Sequence, residues 1–291
     1  MGTILDTVGN TPLVEIQRLN PNKAVTVYGK LEGNNPGGSV KDRPAMNMIR
    51  SALDRGDIDK GTKLIEATSG NTGIAMALMA KVFGLEIELV MPSNSTRERV
   101  LTMEAFGAKV TLLESIELCR DYAEEQGSTG KAYLLNQFAN PDNYMAHYKT
   151  TGPELLRDTN NSLTHFVSSM GTTGTIMGCS RYLKEQNQDI QIIGCQPTEE
   201  SSIPGIRRWP KEYLPKIFEP ERVDRIIDVS QQESTLMTRR LAKEEGIFAG
   251  MSSGGAATAA LKLASELSSG VIVFIVCDRG DRYLSSDLFG S

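Results

Sequence analysis

Residues 165–178 read HFVSSMGTTGTIMG: an apolar-centred run, a polar turn holding Gly171 and Gly174, then a helical pattern continuing through Ile176, Cys179, Ser180 and Leu183. A strand that feeds a glycine turn and then a helix is half of a βαβ unit. The order recurs at residues 66–73, EATSGNTG, which follow a strand-like run and precede helical spacing at Ile74, Ala75, Leu78, Met79 and Val82, ending near Gly84. Strand-like runs fall at 63–67, 86–91, 109–113, 165–168, 190–194 and 271–276, with longer helical patterns between them. Such alternation predicts an α/β protein with mainly parallel sheets, whose ligands sit beyond the carboxyl ends of the strands.

Bulk properties narrow the function. A chain of 291 residues with 40% apolar and 23% charged side chains can bury one large core or two smaller ones. A net charge of -5 without a basic block argues against a nucleic-acid partner. Apolar runs such as Val271 to Cys277 are far short of the roughly 20 residues a membrane-spanning helix needs. The opening MGTILDTVGNTPL lacks a basic, then apolar, leader pattern. Cys119, Cys179, Cys195 and Cys277 are too scattered for a disulfide framework or a metal knuckle, and a cytoplasmic location is expected. His147 and His165 are the only histidines, so no metal site is expected and both read as structural. The proline-rich stretch 196–220, with Arg207, Arg208 and Trp209, reads as a long loop or a flap.

Two turns carry candidate chemistry. In Gly171, Thr172, Thr173, Gly174 and Thr175, backbone N–H groups, hydroxyls and a helix start together suit a phosphate; the same turn also reads as a threonine-capped βα connection. No lysine follows Gly174, which disfavours a nucleotide P-loop, and no two glycines in the chain are spaced G-x-G, which disfavours a dinucleotide fingerprint. A small monophosphate ester remains. The second turn is GNNPGGSVKDR, residues 33–43. Apolar spacing at Ala45, Met48, Ile49, Ala52 and Leu53, with Pro44 in the first turn and Gly56 as a stop, puts Lys41 at a helix N-terminus. The dipole there and any burial disfavour the protonated amine, and a neutral amine forms a Schiff base with an aldehyde. A solvated Lys41 paired with Asp42 is the other reading. An aldehyde that is also a monophosphate points to pyridoxal 5'-phosphate (PLP).

GNNPGGSVKDR, EATSGNTGIA, HFVSSMGTTGTIMG, SSIPGIRRWP (201–210), GMSSGGA (250–256) and CDRGDRYLS (277–285) together resemble the fold-type II PLP enzymes of the cysteine synthase group, particularly its B-type branch. The resemblance runs from about residue 3 to the C-terminus. It implies two doubly wound open-sheet α/β domains, like the tryptophan synthase β fold, with the cofactor between them. The smaller, mobile one would span 36–145, and the larger would combine 1–35 with 146–291. It implies that Lys41 is the catalytic Schiff-base lysine, that Asn71 meets the cofactor's phenolic oxygen, that Gly171 to Thr175 hold its phosphate, and that Ser252 meets its ring nitrogen. Thr68, Ser69, Asn71 and Thr72 would receive a substrate carboxylate, with Gln137 as a further contact.

In the B-type branch, Arg207 would help accept an anionic sulfur donor, and Cys277 would lie at the site's mouth. A neutral serine hydroxyl at the ring nitrogen makes a weaker electron sink than a carboxylate would, which suits β-replacement. The implied reaction is replacement of acetate in O-acetyl-L-serine by sulfide or thiosulfate through an α-aminoacrylate, giving L-cysteine or S-sulfocysteine. The resemblance also implies a homodimer. A serine or threonine dehydratase and a noncatalytic ligand- or partner-binding scaffold share the same motifs. Ser95, in MPSNSTRER, stands where relatives often carry methionine, so loop closure or donor preference can differ here.

Overall fold

A computed structural model describes residues 2–68, 70–93 and 95–290. In chain order the main elements are β1 (Leu13–Glu15), β2 (Val25–Leu31), α1 (Asp42–Arg55), β3 (Lys63–Ala67), α2 (Asn71–Phe83), β4 (Glu86–Pro92), α3 (Arg97–Ala105), β5 (Lys109–Leu113), α4 (Ile116–Ser128), β6 (Tyr133–Leu134), α5 (Pro141–Lys149) and α6 (Thr151–Asp158). There follow β7 (His165–Ser169), α7 (Gly174–Gln186), β8 (Gln191–Pro197), β9 (Arg225–Val229), α8 (Gln231–Arg240), α9 (Met251–Glu266) and β10 (Gly270–Val276). One sheet has the order β1-β2-β10-β7-β8-β9 and the other β5-β4-β3-β6. All pairings are parallel except that of β1 with β2.

The strand sequences explain why each sheet is covered on both faces. In β10, Ile272, Phe274 and Val276 join a core with Ala256, Ala257 and Ala260 of α9, while Val273 and Ile275 pack with Ile176 and Met177 of α7. In β3, Leu64 faces α1 and α2, whereas Ile65 and Ala67 face Cys119 and Ala123 of α4. Successive side chains of a strand point to opposite faces, so a strand buried on both sides reads as an unbroken apolar run. All six strand-like runs of the sequence are strands here. The sheets also contain β1, β2, β6 and β9, whose patterns are weak: in β9 only Ile227 and Val229 are buried, as befits an edge. Among the described residues no helix is long and apolar enough to cross a membrane.

Three features bring the two sheets to one place. The segment before α1 is tied to the end of β10, because Ser39 bridges Asp278 and the Val40 N–H donates to the Cys277 carbonyl at 2.8 Å. Lys41 therefore stands at the carboxyl end of the larger sheet. α2 begins at the carboxyl end of β3. The loop after β8 folds back over the turn that precedes α7: Trp209 Nε1 donates to the Gly171 carbonyl at 2.7 Å and the Arg207 N–H to the Met170 carbonyl at 2.8 Å.

Candidate active site

A cavity of about 970 Å³ opens where these strand ends meet. Its wall on the larger sheet is the turn 171–175. Thr173 adopts left-handed backbone, with φ 69°, and its side chain makes no capping bond to α7. Thr173 is therefore not the cap, although Thr172 Oγ1 accepts the Gly174 N–H at 3.4 Å. Among the described residues the buried Thr173 Oγ1 has no hydrogen-bond partner, although it lines the cavity at the N-terminus of a 13-residue helix. A buried hydroxyl without a partner is costly, and a phosphate oxygen at a helix start would satisfy it.

Neighbours fix the rest of the turn. Asn143 Nδ2 donates to Thr172 Oγ1 at 3.2 Å, and Thr175 Oγ1 lies 3.3 Å from His147 Nε2. The other ring nitrogen, Nδ1, sits 2.9 Å from Thr151 Oγ1. Burial, with help from the Arg43 and Lys41 charges, pushes His147 down to about 3, so the imidazole is neutral near neutral pH. It supports the turn at 171–175.

Lys41 is the residue at which α1 begins, and its side chain lines the same cavity. Burial lowers its pKa below the ordinary lysine range. Cys277, Asp278 and Glu32 oppose that shift. The Cys277 thiol is itself pushed up to about 11, chiefly by burial, so near neutral pH it carries no charge, and Glu32 is paired with Arg43 at 2.7 Å. Asp278 is therefore the anion left to act on the amine. Asp42 does not form a solvated pair with Lys41: it is fully buried, accepts the Gly37 N–H, and is raised to about 7 by burial.

Behind α1, Arg43 binds Glu32 and Glu154, and Lys30 binds Glu154 and Asp158, all at 2.6–2.8 Å. A buried ion network of this kind is a weak source of net stability, but it pins the start of α1 in one register.

On the smaller sheet, Thr68, Asn71, Thr72 and Gln137 line the cavity, and Thr72 Oγ1 donates to Gln137 Oε1 at 2.8 Å. Ser69 lies outside the described residues. Ser252, buried in the first turn of α9, faces in beside Gly205, while Cys277 is half-buried next to it. Arg207 stands exposed on the rim, whereas Arg208 turns away to Asp228 and to the Pro197 carbonyl. Thus every described site residue expected from the sequence lines one cavity. Gly171, Thr172, Thr173, Gly174 and Thr175 share its wall with Lys41 and Ser252.

The sequence reading missed Arg99, Arg120 and Tyr283, which also line the cavity, and Asp278 and Arg282, which grip Asn71. The signal was present in CDRGDRYLS, yet nothing local says that this segment reaches across to α2. An unpartnered hydroxyl at a helix start and a desolvated amine in one cavity fit the phosphate and the aldehyde of PLP. Among the described residues no group of acidic, histidine or cysteine side chains could hold a metal ion.

Comparison with known proteins agrees with this geometry. Residues 4–278 match the family of pyridoxal-phosphate dependent enzymes. Cysteine synthase B of Pseudomonas aeruginosa is 59% identical over 290 residues, covering 99% of this chain and 97% of that protein. Cysteine synthase B of Escherichia coli is 53% identical over 293 residues, covering 100% and 97%. Among solved structures, a cysteine synthase from Entamoeba histolytica superposes with a TM-score of 0.95 at 37% identity, covering 100% of this chain and 91% of that one. An O-ureido-L-serine synthase gives a TM-score of 0.93 at 33% identity, covering 99% and 95%.

Proposed function

The chain belongs to the pyridoxal-phosphate dependent enzymes and, among them, to the cysteine synthases, and we propose that it replaces the acetate of O-acetyl-L-serine with sulfide or thiosulfate, forming cysteine or S-sulfocysteine. The observation that carries this reading is the meeting, in one cavity, of the desolvated Lys41 amine with the unpartnered Thr173 hydroxyl at the start of α7. PLP, when bound, supplies an electron sink for carbanion chemistry at the substrate's α carbon.

The residues divide the work by their chemistry. Lys41 Nζ would hold the cofactor aldehyde and, when free, would take and return the substrate's α proton, a role that burial favours by lowering the amine's pKa. The N–H groups and hydroxyls of residues 171–175 take the phosphate. Ser252 would offer a neutral hydroxyl to the ring nitrogen, and Asn71 would offer an amide N–H to the phenolic oxygen. Thr68, Ser69, Asn71 and Thr72, at the start of α2, with Gln137, orient the substrate carboxylate. Arg207, exposed on the rim, attracts the anionic sulfur donor, and Cys277 shapes the mouth.

We place the smaller domain at residues 36–145 and the larger at 1–35 plus 146–291, because the smaller sheet and α1 to α4 fall within the first range. Closure of the smaller one on substrate would exclude water from the reacting atoms. A cytoplasmic homodimer completes the proposal; four unpaired cysteines are compatible with a reducing compartment.

Borohydride reduction followed by digestion tests the core of the reading: the pyridoxyl tag is expected on the peptide containing Lys41. A tag elsewhere, or none in PLP-loaded protein, rejects it. Mass identification of products from O-acetylserine with each sulfur donor then separates β-replacement from release of a keto acid.

A further inference from the structure

We infer that Asp278 is a positioning residue for Asn71, with Arg282 holding the opposite end of the same amide, so that the segment after β10 decides what Asn71 offers to the cavity. The inference rests on the proposed function, which gives Asn71 its contact with the cofactor.

The geometry is specific. Asp278 is 1% exposed, and three donors reach its carboxylate: Asn71 Nδ2 at 2.7 Å, the Tyr283 hydroxyl at 2.6 Å and the Gly250 N–H at 3.1 Å. Arg282 Nη1 donates to Asn71 Oδ1 at 2.5 Å, while its other amine donates to the Gly37 carbonyl. A side-chain amide has two N–H donors and one acceptor oxygen. Here one N–H goes to a carboxylate and the oxygen receives a guanidinium, so turning the amide over would set its N–H groups against a cation and its oxygen against an anion. The orientation is fixed by charge as well as by shape.

One N–H of Asn71 is left uncommitted by these bonds. Asn71 is therefore preset as a donor, suited to an electron-rich oxygen such as a phenolate. A serine or an asparagine at position 278 would lose the charge that enforces this choice.

The same segment also governs the lysine. Asp278 bridges Ser39, two residues before Lys41, and its charge favours the protonated amine against burial. Tyr283 in addition lies under the Arg99 guanidinium of α3, 5.7 Å from its ring centre. Thus a short stretch of the larger sheet's chain touches the starts of α1, α2 and α3 close to the cavity. A segment that merely anchored the C-terminus would not need to hold both ends of one amide.

The test is a double-mutant cycle on holoenzyme with Asp278→Asn, Asn71→Ala and their combination, read by the absorption spectrum of bound cofactor, the affinity of apoprotein for PLP, and kcat/KM for O-acetylserine. Asp278→Asn is expected to shift the visible band and lower kcat/KM by about tenfold, yet to cost several-fold less once Asn71 is already alanine, the remainder reporting its charge on Lys41. Arg282→Gln should move the same readouts in the same direction by a smaller factor. An equal cost of Asp278→Asn in both backgrounds, or an unchanged cofactor spectrum beside a lowered melting temperature, overturns the inference. If Asp278→Asn does not fold, the Arg282→Gln and Asn71→Ala cycle decides by the same rule. Wild type lacking a borohydride-reducible link at Lys41 would sink the proposed function and this inference with it; an intact link with independent effects sinks the inference alone.

Discussion

The two walls of the cavity are built to different standards of rigidity. On the larger sheet, α9 buries Ser252 to Leu261 without a break and α7 buries Gly174 to Ser180, so the turn at 171–175 and Ser252 sit on packed helices. On the smaller sheet, α2, which begins with Asn71 and Thr72, is also well packed, burying Thr72 to Ala80, but the cavity-lining α3 buries only Met103 among its nine residues and α4 only Cys119 and Ala123 among thirteen. Elements with few buried apolar contacts open at lower free energy than the core does. The difference therefore lies in the outer helices: the starts of α2, α7 and α9 sit on packed helices, whereas α3 and α4 are the loosely packed part of the cavity's surround.

The largest expected effect lies at the seam. Lys41→Ala should lower kcat/KM by about 10³-fold or more, since the residue is asked to hold the aldehyde and to move the α proton. Steady-state assay with O-acetylserine and sulfide checks this. The next effect separates the walls by a matched pair of glycines. A Cβ on Gly174 would stand 2.0 Å from Asn143 Oδ1, whereas one on Gly70 would meet nothing within 4 Å. Gly174→Ala is expected to cost about 3 kcal/mol of stability through overpacking, and Gly70→Ala less than about 0.5 kcal/mol, as read by denaturant unfolding. Similar costs at both sites would erase the contrast.

One buried titratable group behind each wall, His147 and Glu66, acts in the opposite direction to the other. His147, behind the turn at 171–175, is held at about 3 against an ordinary 6.5, first by burial. As pH falls from 6.5 toward 3, the unfolded chain takes up a proton that the native chain refuses, so stability falls. Glu66, at the end of β3, accepts the Asn136 N–H at 2.9 Å and is raised to about 7 from 4.5 by burial. Between 4.5 and 7 the native chain keeps a proton that the unfolded chain has lost, so here stability falls as pH rises. His147→Asn should flatten the acid side of the stability profile by up to about 5 kcal/mol and Glu66→Gln the neutral side by up to about 3 kcal/mol across its window. Unfolding curves at half-unit pH steps, with wild type subtracted, isolate each group.

How far the sequence revealed this arrangement depended on how local each signal was. The turns at 33–43, 66–73 and 165–178 carry their own punctuation of glycine, hydroxyl residues and helix starts, and the structure sets all three around one cavity. Strands buried on both faces announced themselves as apolar runs; β2, with Lys30 and Gly29 inside it, did not. Lys30 reaches the buried Glu154 and the half-buried Asp158, partners more than a hundred residues away that no local pattern predicts. The grip of Asp278 and Arg282 on Asn71 was invisible for the same reason, since it joins residues more than two hundred positions apart. Arg207 and Arg208 read as one basic pair and are separated only by their surroundings.

That separation supplies the smallest expected effect. Arg207 stands exposed on the cavity rim, while Arg208 is occupied by Asp228 and the Pro197 carbonyl. An exposed cation attracts an anion weakly and through water, worth roughly 1 kcal/mol or less, and salt screens it. Thiosulfate carries two charges at neutral pH and sulfide at most one, so the attraction favours thiosulfate. Arg207→Ala should raise KM for thiosulfate about fivefold and change that for sulfide less than twofold, and added salt at 0.5 M concentration, about three times physiological, should shrink the difference. Arg208→Ala should leave the ratio of the two donors unchanged. An equal loss with both donors from Arg207→Ala would mean that the rim shapes the loop over the cavity instead of selecting the donor by charge.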